Sequence, residues 1–518
     1  MKLSELVKTV RETQTAGNPY PARDDSPFIY DPEIESVHYR AQDVRPSGLF
    51  VAISGLSADG HDFIDEAMAR GASAVVVQKP VESNLITIQV ENTRKALGKI
   101  AAKFYGNPSM ELVIIGITGT NGKTTTSYII ESILSSAGFK VGVIGTINYR
   151  FSGKTFSNPV TTPESLDLHR ILSEMVKDGT THVVMEVSSH ALDLFRTEDC
   201  FFDAAIFTNL THDHLDYHGN IEAYWSCKKK LFTDILPSGP KKEKAFAVIN
   251  CDDARGKELF ETLSVKCIKT GSSAAYNVHT INPSLSPEGI EAAISTPLGS
   301  FHFKSSLVGK HNVENILCAA GLGAGLTISP ERIAEGIESI RVIPGRLERI
   351  DNDSERSVYV DYAHTPDALK NVLLSLRPIT RGRLICIFGC GGDRDRTKRP
   401  LMGEIAATLS DIAVVTSDNP RTENPLDIIK DITDGVTRKG IDRYDPSELT
   451  RDFNGRGYVT EPDRKRAILL GIKASRPGDT VLIAGKGHEN YQIKGAIKIH
   501  FDDRQEARLA LSSINSAD

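Results

Sequence analysis

Residues 111–125, ELVIIGITGTNGKTT, constrain the fold of this chain more than any other stretch. An unbroken apolar run, of the kind that forms a strand buried on both faces, gives way to a glycine-rich turn. A helical pattern (SYIIESILSSAG) starts directly after it. Strand, glycine loop and helix in that order aim backbone N–H groups and the positive end of a helix at one point, which is how a polyphosphate is held. Lys123 is placed to reach terminal phosphates, and the Thr124 hydroxyl to ligate Mg²⁺. The spacing is not that of the common P-loop: five residues rather than four separate Gly116 from Gly122, and two separate Gly119 from Gly122.

Similar apolar runs recur along the chain. With 518 residues, two to four domains are expected. Residues 1–108 hold short strand-like runs (GLFVAISG, SAVVVQ, LITIQV) around one helical stretch, and Asn107-Pro108 is a natural break, because the residue before proline is pushed out of the helical region. From 109 to 340, the runs ELVIIGIT, VGVIGT, THVVMEVS, AAIFTN and AFAVIN alternate with helical patterns, as in a parallel sheet covered on both faces. From 341 to 518 the style repeats with SVYVDYAH, LICIFGCGG, IAVVTSDNP and TVLIAGKGHE. The expected fold is therefore α/β in three domains: a small N-terminal α/β domain, a central P-loop-like parallel-sheet domain and a C-terminal Rossmann-like domain. Ligands of such sheets bind at the C-terminal ends of strands, where Glu186 and Asn209 fall.

A formal charge of −6 gives no whole-chain reason to expect a nucleic-acid partner. The N-terminus lacks the apolar core of a signal peptide, and no apolar run approaches the roughly 18 residues of a membrane span. Seven dispersed cysteines without a CxxC pair read as reduced thiols in a cytoplasmic protein.

The segment 208–219 packs three histidines and two aspartates together. It reads either as a divalent-metal site beside phosphates or as a polar, helix-capping loop. Zinc has no supporting cysteine or HExxH pattern, whereas an oxygen ligand such as Glu186 favours Mg²⁺. The lysine run at 228–230 is, on composition alone, a solvated helix face.

ITGTNGKTTT, MEVSSHAL, FTNLTHDHLDYHG, GKHNVENILCA, PGRLE, VDYAHTPDAL, GCGGDRDRTKRP, SDNPRTE and AGKGHE follow one another in this order. Together they resemble the Mur ligases, from about residue 40 to the C-terminus. The TGTNGKT loop is shared with folylpolyglutamate and cyanophycin synthetases; SDNPRTE with AGKGHE is the more specific combination. The resemblance implies an ATP-dependent ligase in which a substrate carboxylate is phosphorylated and an amine then displaces phosphate. Such chemistry needs charge neutralisation and positioning rather than an enzyme nucleophile.

By this resemblance, Gly119, Thr120, Asn121, Gly122, Lys123 and Thr124 hold ATP, with Asn209, Asn315, Arg346 and Asp361 as further nucleotide contacts. Thr124, Glu186 and His214 are the implied Mg²⁺ ligands. Lys228 matches a lysine carried as a carbamate made with CO₂, which would ligate a second Mg²⁺ and overrides the reading as a solvated face. Lys123, Lys228 and His214 are the implied catalytic residues. Thr161, Thr162, Ser188 and Arg196 match positions that bind the muramoyl-dipeptide part of UDP-MurNAc-L-Ala-D-Glu. Leu194 stands where the family usually has glutamine, and Arg40-Ala41-Gln42 where many members have Asp-Ser-Arg. Asp418, Asn419, Pro420 and Arg421 match the motif of members that add meso-diaminopimelate. The Arg421 guanidinium can pair bidentately with its second carboxylate, an interaction worth about 2 to 5 kcal/mol. Arg394 would take the other carboxylate, and Glu489 with the Gly485 carbonyl the distal ammonium. L-Lysine is the near alternative as added amino acid. A simple P-loop phosphotransferase would need the Lys123 loop but neither SDNPRTE nor Arg394. A cytoplasmic monomer without nucleic-acid partner or membrane insertion is expected.

Overall fold

A computed structural model of the chain describes residues 1–12, 31–55, 58–449, 453 and 455–515. Three helix-covered sheets carry an α/β architecture. The first has four parallel strands in chain order: Ser36–His38, Gly48–Val51, Ala72–Val77 and Ile86–Gln89. Alternate residues serve opposite faces, as the two-residue strand period requires. Leu49 and Val51 pack with the helices Leu3–Glu12 and Thr93–Phe104, while Phe50 packs with the helix Ile64–Ala69.

The second sheet has 11 strands. Seven parallel ones form its middle, in the order Val278–Ser286, Lys266–Gly271, Phe246–Asn250, Ala204–Phe207, Val113–Thr118, His182–Glu186 and Val141–Ile144. Every residue of His182–Glu186, Ala204–Phe207 and Phe246–Asn250 is buried, which is why these runs are apolar without alternation. The sheet is not purely parallel, as the apolar runs alone suggest. Antiparallel strands extend both edges: Tyr149–Phe151 and Lys154–Phe156 at one, Gly289–Thr296 and Gly299–Ser305, paired onto Val278–Ser286, at the other. The outer ones are partly exposed; Gly299–Ser305 alternates buried and exposed residues, a weaker sequence signal than a continuous apolar run.

The third sheet runs Glu348–Ile350, Ser357–Asp361, Thr480–Ala484, Leu384–Phe388, Ile412–Val415, Gly457–Thr460 and Asp442–Arg443, parallel except for the first. Val358, Val360, Ile385 and Ile387 fill one face, and Tyr359, Cys386 and Phe388 the other. All seven cysteines are unpaired. Among the described residues no helix is long and apolar enough to cross a membrane. Asn107 leaves the right-handed helical region as its proline demands, but into the left-handed one, at φ 55° and ψ 53°.

Two strand ends decide where a ligand can sit. Val113–Thr118 lies between Ala204–Phe207 and His182–Glu186, neither of them its neighbour in sequence, with Thr118 opposite Phe207 and Ile117 opposite Glu186. Connections leaving such a point open a crevice at the carboxyl ends of the strands. The C-terminal sheet reaches this crevice from the other side. His311 Nδ1 and Ser375 Oγ are 2.8 Å apart, and Asn121 Nδ2 donates to Asp367 Oδ2 at 3.3 Å. A second contact is made by the hairpin tip after Val278–Ser286: the Pro287 carbonyl accepts from Tyr359 Oη at 3.0 Å and Arg349 Nη1 at 3.2 Å.

The loop after Ile412–Val415 is held by a buried arginine. Arg399, fully buried, donates from Nη2 and Nη1 to the two Glu423 oxygens at 2.8 and 3.0 Å, and to Asp431 Oδ2 at 2.9 Å. This pairing holds the Glu423 carboxyl down at about 2. A depressed carboxylate stabilises fully above its ordinary pKa, and that stability is lost as pH falls toward the folded value. Glu423→Gln should therefore lower the unfolding midpoint by roughly 3 to 8 °C near neutrality. The difference from the unsubstituted protein should shrink on acidification from pH 5 toward pH 2, as followed by calorimetry; a constant difference would exclude the charge pair as its source.

Candidate active site

The glycine loop between Val113–Thr118 and Lys123–Ser136 is shaped by positions that only glycine can fill. Gly119 (φ 150°) and Gly122 (φ 88°) adopt positive φ. A Cβ on Gly119 would lie 1.9 Å from Thr208 Oγ1, and one on Gly122 2.2 Å from Asn315 Oδ1. The loop is tied down by the strand beside it. The Asn121 N–H donates to Asn209 Oδ1 at 2.9 Å, Asn209 Nδ2 donates to the Asn121 carbonyl at 3.2 Å, and the Thr120 N–H to the Asn209 carbonyl at 2.9 Å. Helix Lys123–Ser136 begins at Gly122 with no side-chain cap, so its first N–H groups are free to meet an anion.

Two lysines converge on one carbonyl. Lys123 Nζ donates to Gly119 O at 2.8 Å and Thr120 O at 2.9 Å, and Lys228 Nζ donates to the same Gly119 O at 2.8 Å. Lys228 is buried, at 1% exposure, so the lysine run is no solvated face; Lys229 and Lys230 are half-buried beside it. The helix Ile221–Lys230 continues into a π-helical turn, Leu231–Ile235, a distortion frequent at functional sites. Burial, reinforced by the Lys123 charge, pushes the Lys228 amine well below the usual lysine range.

Glu186 closes the strand end. Its Oε2 accepts from Thr124 Oγ1 at 3.0 Å and from Thr146 Oγ1 at 2.8 Å, and its Oε1 from the Thr146 N–H at 3.1 Å. His214 stands at φ 53°, its ring against His190. Among the described residues no group of three or more His, Cys, Asp or Glu side chains forms a ready metal cage. The donors that fit a hard cation here are the Thr124 hydroxyl and the Glu186 carboxylate, 3.0 Å apart, beside the glycine loop.

From the C-terminal side, Arg346 Nη2 donates to Thr124 Oγ1 at 3.1 Å. Its guanidinium lies over the Tyr362 ring, and its Nε is buried without a partner, a donor that an incoming anion could satisfy. Asp361 accepts the N–H groups of Leu347 and Ala363, both at 2.7 Å; burial pushes its carboxyl up, against the pull of Arg346. A cavity of about 940 Å³ joins these parts. Gly122, Lys123, Thr124, Glu186, Asn209, His214, Asn315, Arg346 and Asp361 line it, with Thr161 and Ser188 at its margin. Thr162 Oγ1 donates to the Glu186 carbonyl and accepts from the Ser188 N–H, and Arg196 Nη1 donates to the Thr162 carbonyl. Arg196 also faces Glu164 at 3.6 Å.

The remaining candidates form a second cluster at the strand ends of the C-terminal sheet. Arg421 Nη1 and Arg394 Cγ both lie within 4 Å of where a Cβ on Gly391 would stand. Arg421 is held at φ 53° and donates to the Gly392 carbonyl at 2.7 Å; Arg394 is exposed. Asn419 Nδ2 donates to Glu489 Oε2 at 3.0 Å, and the Gly485 N–H to the Asp361 carbonyl at 3.0 Å. Asp418 Oδ2 is buried with no hydrogen-bond partner, close to where a Cβ on Gly485 would stand. Tyr362 lies against the His488 ring, tilted by 41°, as well as under Arg346, so the two clusters share a wall.

Residues 33–105, 117–323 and 345–487 match the models of the Mur ligase family catalytic domain, the Mur ligase middle domain and the Mur ligase glutamate ligase domain. The UDP-N-acetylmuramoyl-L-alanyl-D-glutamate--2,6-diaminopimelate ligase of Geobacter metallireducens is 45% identical over 518 residues, covering 100% of this chain and 99% of its own. The chain belongs to the Mur ligase family. A Mur ligase of the same name from Geobacillus thermodenitrificans is 41% identical over 482 residues, covering 93% of this chain and 95% of its own. A solved structure with that name superposes with a TM-score of 0.68 at 31% identity, over 96% of this chain and 98% of the other. The fold extends to the Mycobacterium tuberculosis folylpolyglutamate synthase complexed with ADP: TM-score 0.60, 17% identity, 76% of this chain and 91% of the other.

Sequence reasoning passed over Thr146, which fixes Glu186, and Asp367, which meets the loop from the C-terminal domain. Thr146 ends the VGVIGT run and Asp367 lies inside VDYAHTPDAL, but their partners come from distant parts of the chain. It also passed over Lys486, inside the AGKGHE motif, which is fully buried. Gly122→Ala would drive a methyl into Asn315 at a backbone angle that alanine resists. Nucleotide affinity should fall at least about tenfold by titration, and near-normal affinity would exclude this loop as the nucleotide cradle.

Proposed function

We propose that this chain is an ATP-dependent ligase that joins meso-diaminopimelate to the γ-carboxyl of D-Glu in UDP-MurNAc-L-Ala-D-Glu, releasing ADP and phosphate. The observation that carries the reading is the single cavity whose walls bring the glycine loop, Glu186 and Thr161 from one domain against Arg346 and Asp361 from another. The three units serve in turn as UDP-sugar-binding (1–108), ATP-binding (109–340) and amino-acid-binding (341–518) domains. The reaction belongs to peptidoglycan precursor synthesis, carried out by a cytoplasmic monomer.

The chemistry follows from charge. An oxygen of the substrate carboxylate attacks the γ-phosphorus and ADP leaves; the amine then attacks the acyl phosphate carbonyl, loses a proton and expels phosphate. No side chain of the enzyme becomes bonded to substrate. The work is to hold anions together, through the loop N–H groups, Lys123 swung from its carbonyl contacts onto the phosphates, and Arg346. Divalent cations would supply further neutralisation at the phosphates, one held by Thr124, Glu186 and His214 and a second by the carbamate on Lys228. Carbamate formation needs an uncharged amine to attack CO₂, and the buried Lys228 next to Lys123 is the amine whose surroundings favour that form. Thr161, Thr162, Ser188 and Arg196 hold the muramoyl-dipeptide end. Arg421 and Arg394 take the carboxylate groups of meso-diaminopimelate, while Asp418, Asn419, Pro420, Gly485 and Glu489 complete its pocket.

Phosphate release with ATP, Mg²⁺ and UDP-MurNAc-L-Ala-D-Glu should occur with meso-diaminopimelate and not with L-lysine as sole amino acid. Arg421→Ala should cut kcat/KM for diaminopimelate at least about thirtyfold. Release with lysine alone would keep the ligase and overturn the specificity. Lys228→Ala should lose activity and regain part of it with added short carboxylic acids; no rescue would count against the carbamate.

A further inference from the structure

Lys486 is a fully buried ammonium that the reaction itself does not use. It lies inside the amino-acid cluster, with a side-chain exposure of 0%. Its Nζ donates to Asn419 Oδ1 at 3.0 Å and to Glu489 Oε2 at 3.1 Å, and the Tyr491 ring stands 5.4 Å away. Both hydrogen-bond partners are residues assigned to the diaminopimelate pocket, so the following inference rests on that reading.

Two consequences follow from the geometry. The first is orientational. Asn419 Oδ1 accepts from Lys486 and from the Ile493 N–H at 3.0 Å, while its Nδ2 donates to Glu489. Flipping the amide would set its NH₂ against two donors and its oxygen against a carboxylate, so Lys486, with the Ile493 N–H and Glu489, fixes which way Asn419 faces. Through it three segments are tied together: the loop 418–421, the loop 485–489 and the hairpin strand Tyr491–Lys494. The second is electrostatic. The Glu489 carboxylate, half-buried, already carries a cation in contact. An arriving ammonium therefore gains less from Glu489 than it would from a lone carboxylate, and it meets a like charge beside it.

We infer that Lys486 determines amino-acid specificity by pre-pairing Glu489 and locking Asn419, so that a distal ammonium alone cannot secure binding. A substrate bearing a distal carboxylate is held by Arg421 or Arg394 and tolerates the weakened ammonium contact. A substrate ending in an ammonium only, such as L-lysine, has nothing to offset it. Lys486 acts through Asn419 and Glu489, as a positioning residue, with no contact to the reacting atoms.

The test compares kcat/KM for meso-diaminopimelate and L-lysine in the full-length enzyme, in Lys486→Met and in Lys486→Gln. Both variants remove the charge, and Gln keeps an N–H donor for Asn419. The ratio favouring diaminopimelate should fall at least tenfold in both, with KM for ATP and for the muramoyl substrate within twofold of the unsubstituted enzyme. A merely structural lysine would lower both amino acids alike; an unchanged ratio, or an equal rise in KM for ATP, overturns the inference. If Lys486→Met does not fold, Lys486→Gln decides by the same criterion. The unsubstituted enzyme separates this inference from the function beneath it. Absence of turnover with either amino acid refutes the ligase reading, and equal use of both refutes the specificity that Lys486 is held to set.

Discussion

The Gly119 carbonyl is where the active site is fastened. It accepts from Lys123 on the helix that follows the loop and from Lys228 on a helix more than a hundred residues later. Two ammonium groups on one buried oxygen repel each other strongly where water is scarce, and the arrangement is eased when Lys228 is uncharged. The same constraint therefore sets the shape of the loop, holds the Lys123 side chain beside it and pushes the Lys228 amine toward its uncharged form. Thr208 and Asn209 brace the loop from the next strand, and Asn315 fills the space that only a glycine at 122 leaves open.

From this fixed point the site grows by contacts between domains. Arg346 reaches Thr124, and Asp367 reaches Asn121. On the far side of Tyr362 the buried pair Arg464–Asp503, with both side chains fully buried, lies behind the amino-acid cluster; Arg464 donates to the Ala484 and Ser417 carbonyls and stands 3.9 Å from Asp418. The loops that follow Ile412–Val415 and Thr480–Ala484 are thus hung from one guanidinium, and the equally buried Lys486 joins them again through Asn419 and Glu489.

Much of this was legible in the sequence, and for a physical reason. A strand buried on both faces must be apolar along its length, so the central parallel strands announce themselves; the partly exposed antiparallel strands at the sheet edges do not. The glycine loop was readable because positive φ and close packing act on residues only a few apart. Glu423 shows the opposite case. It closes the SDNPRTE motif, yet its carboxylate is spent on Arg399 and the Asp393 N–H, holding the loop rather than meeting substrate. Thr146, Asp367 and the shared carbonyl of Gly119 were invisible because each matters only through a partner brought close by the fold. The lysine run misled on composition alone, since nothing in KKK tells which of three successive side chains points inward.

The hairpin tip at Pro287 has a mechanical consequence. The C-terminal domain touches the central one along the cleft, through Thr124, Asn121 and His311, and again at this tip, where Tyr359 and Arg349 share one carbonyl oxygen. A rigid body pinned at two places keeps a single easy freedom, rotation about the line joining them. Proline offers that carbonyl without an N–H of its own, so the tip accepts two hydrogen bonds and returns none, and any rotation of the C-terminal domain would have to run about the line through this tip and the cleft contacts.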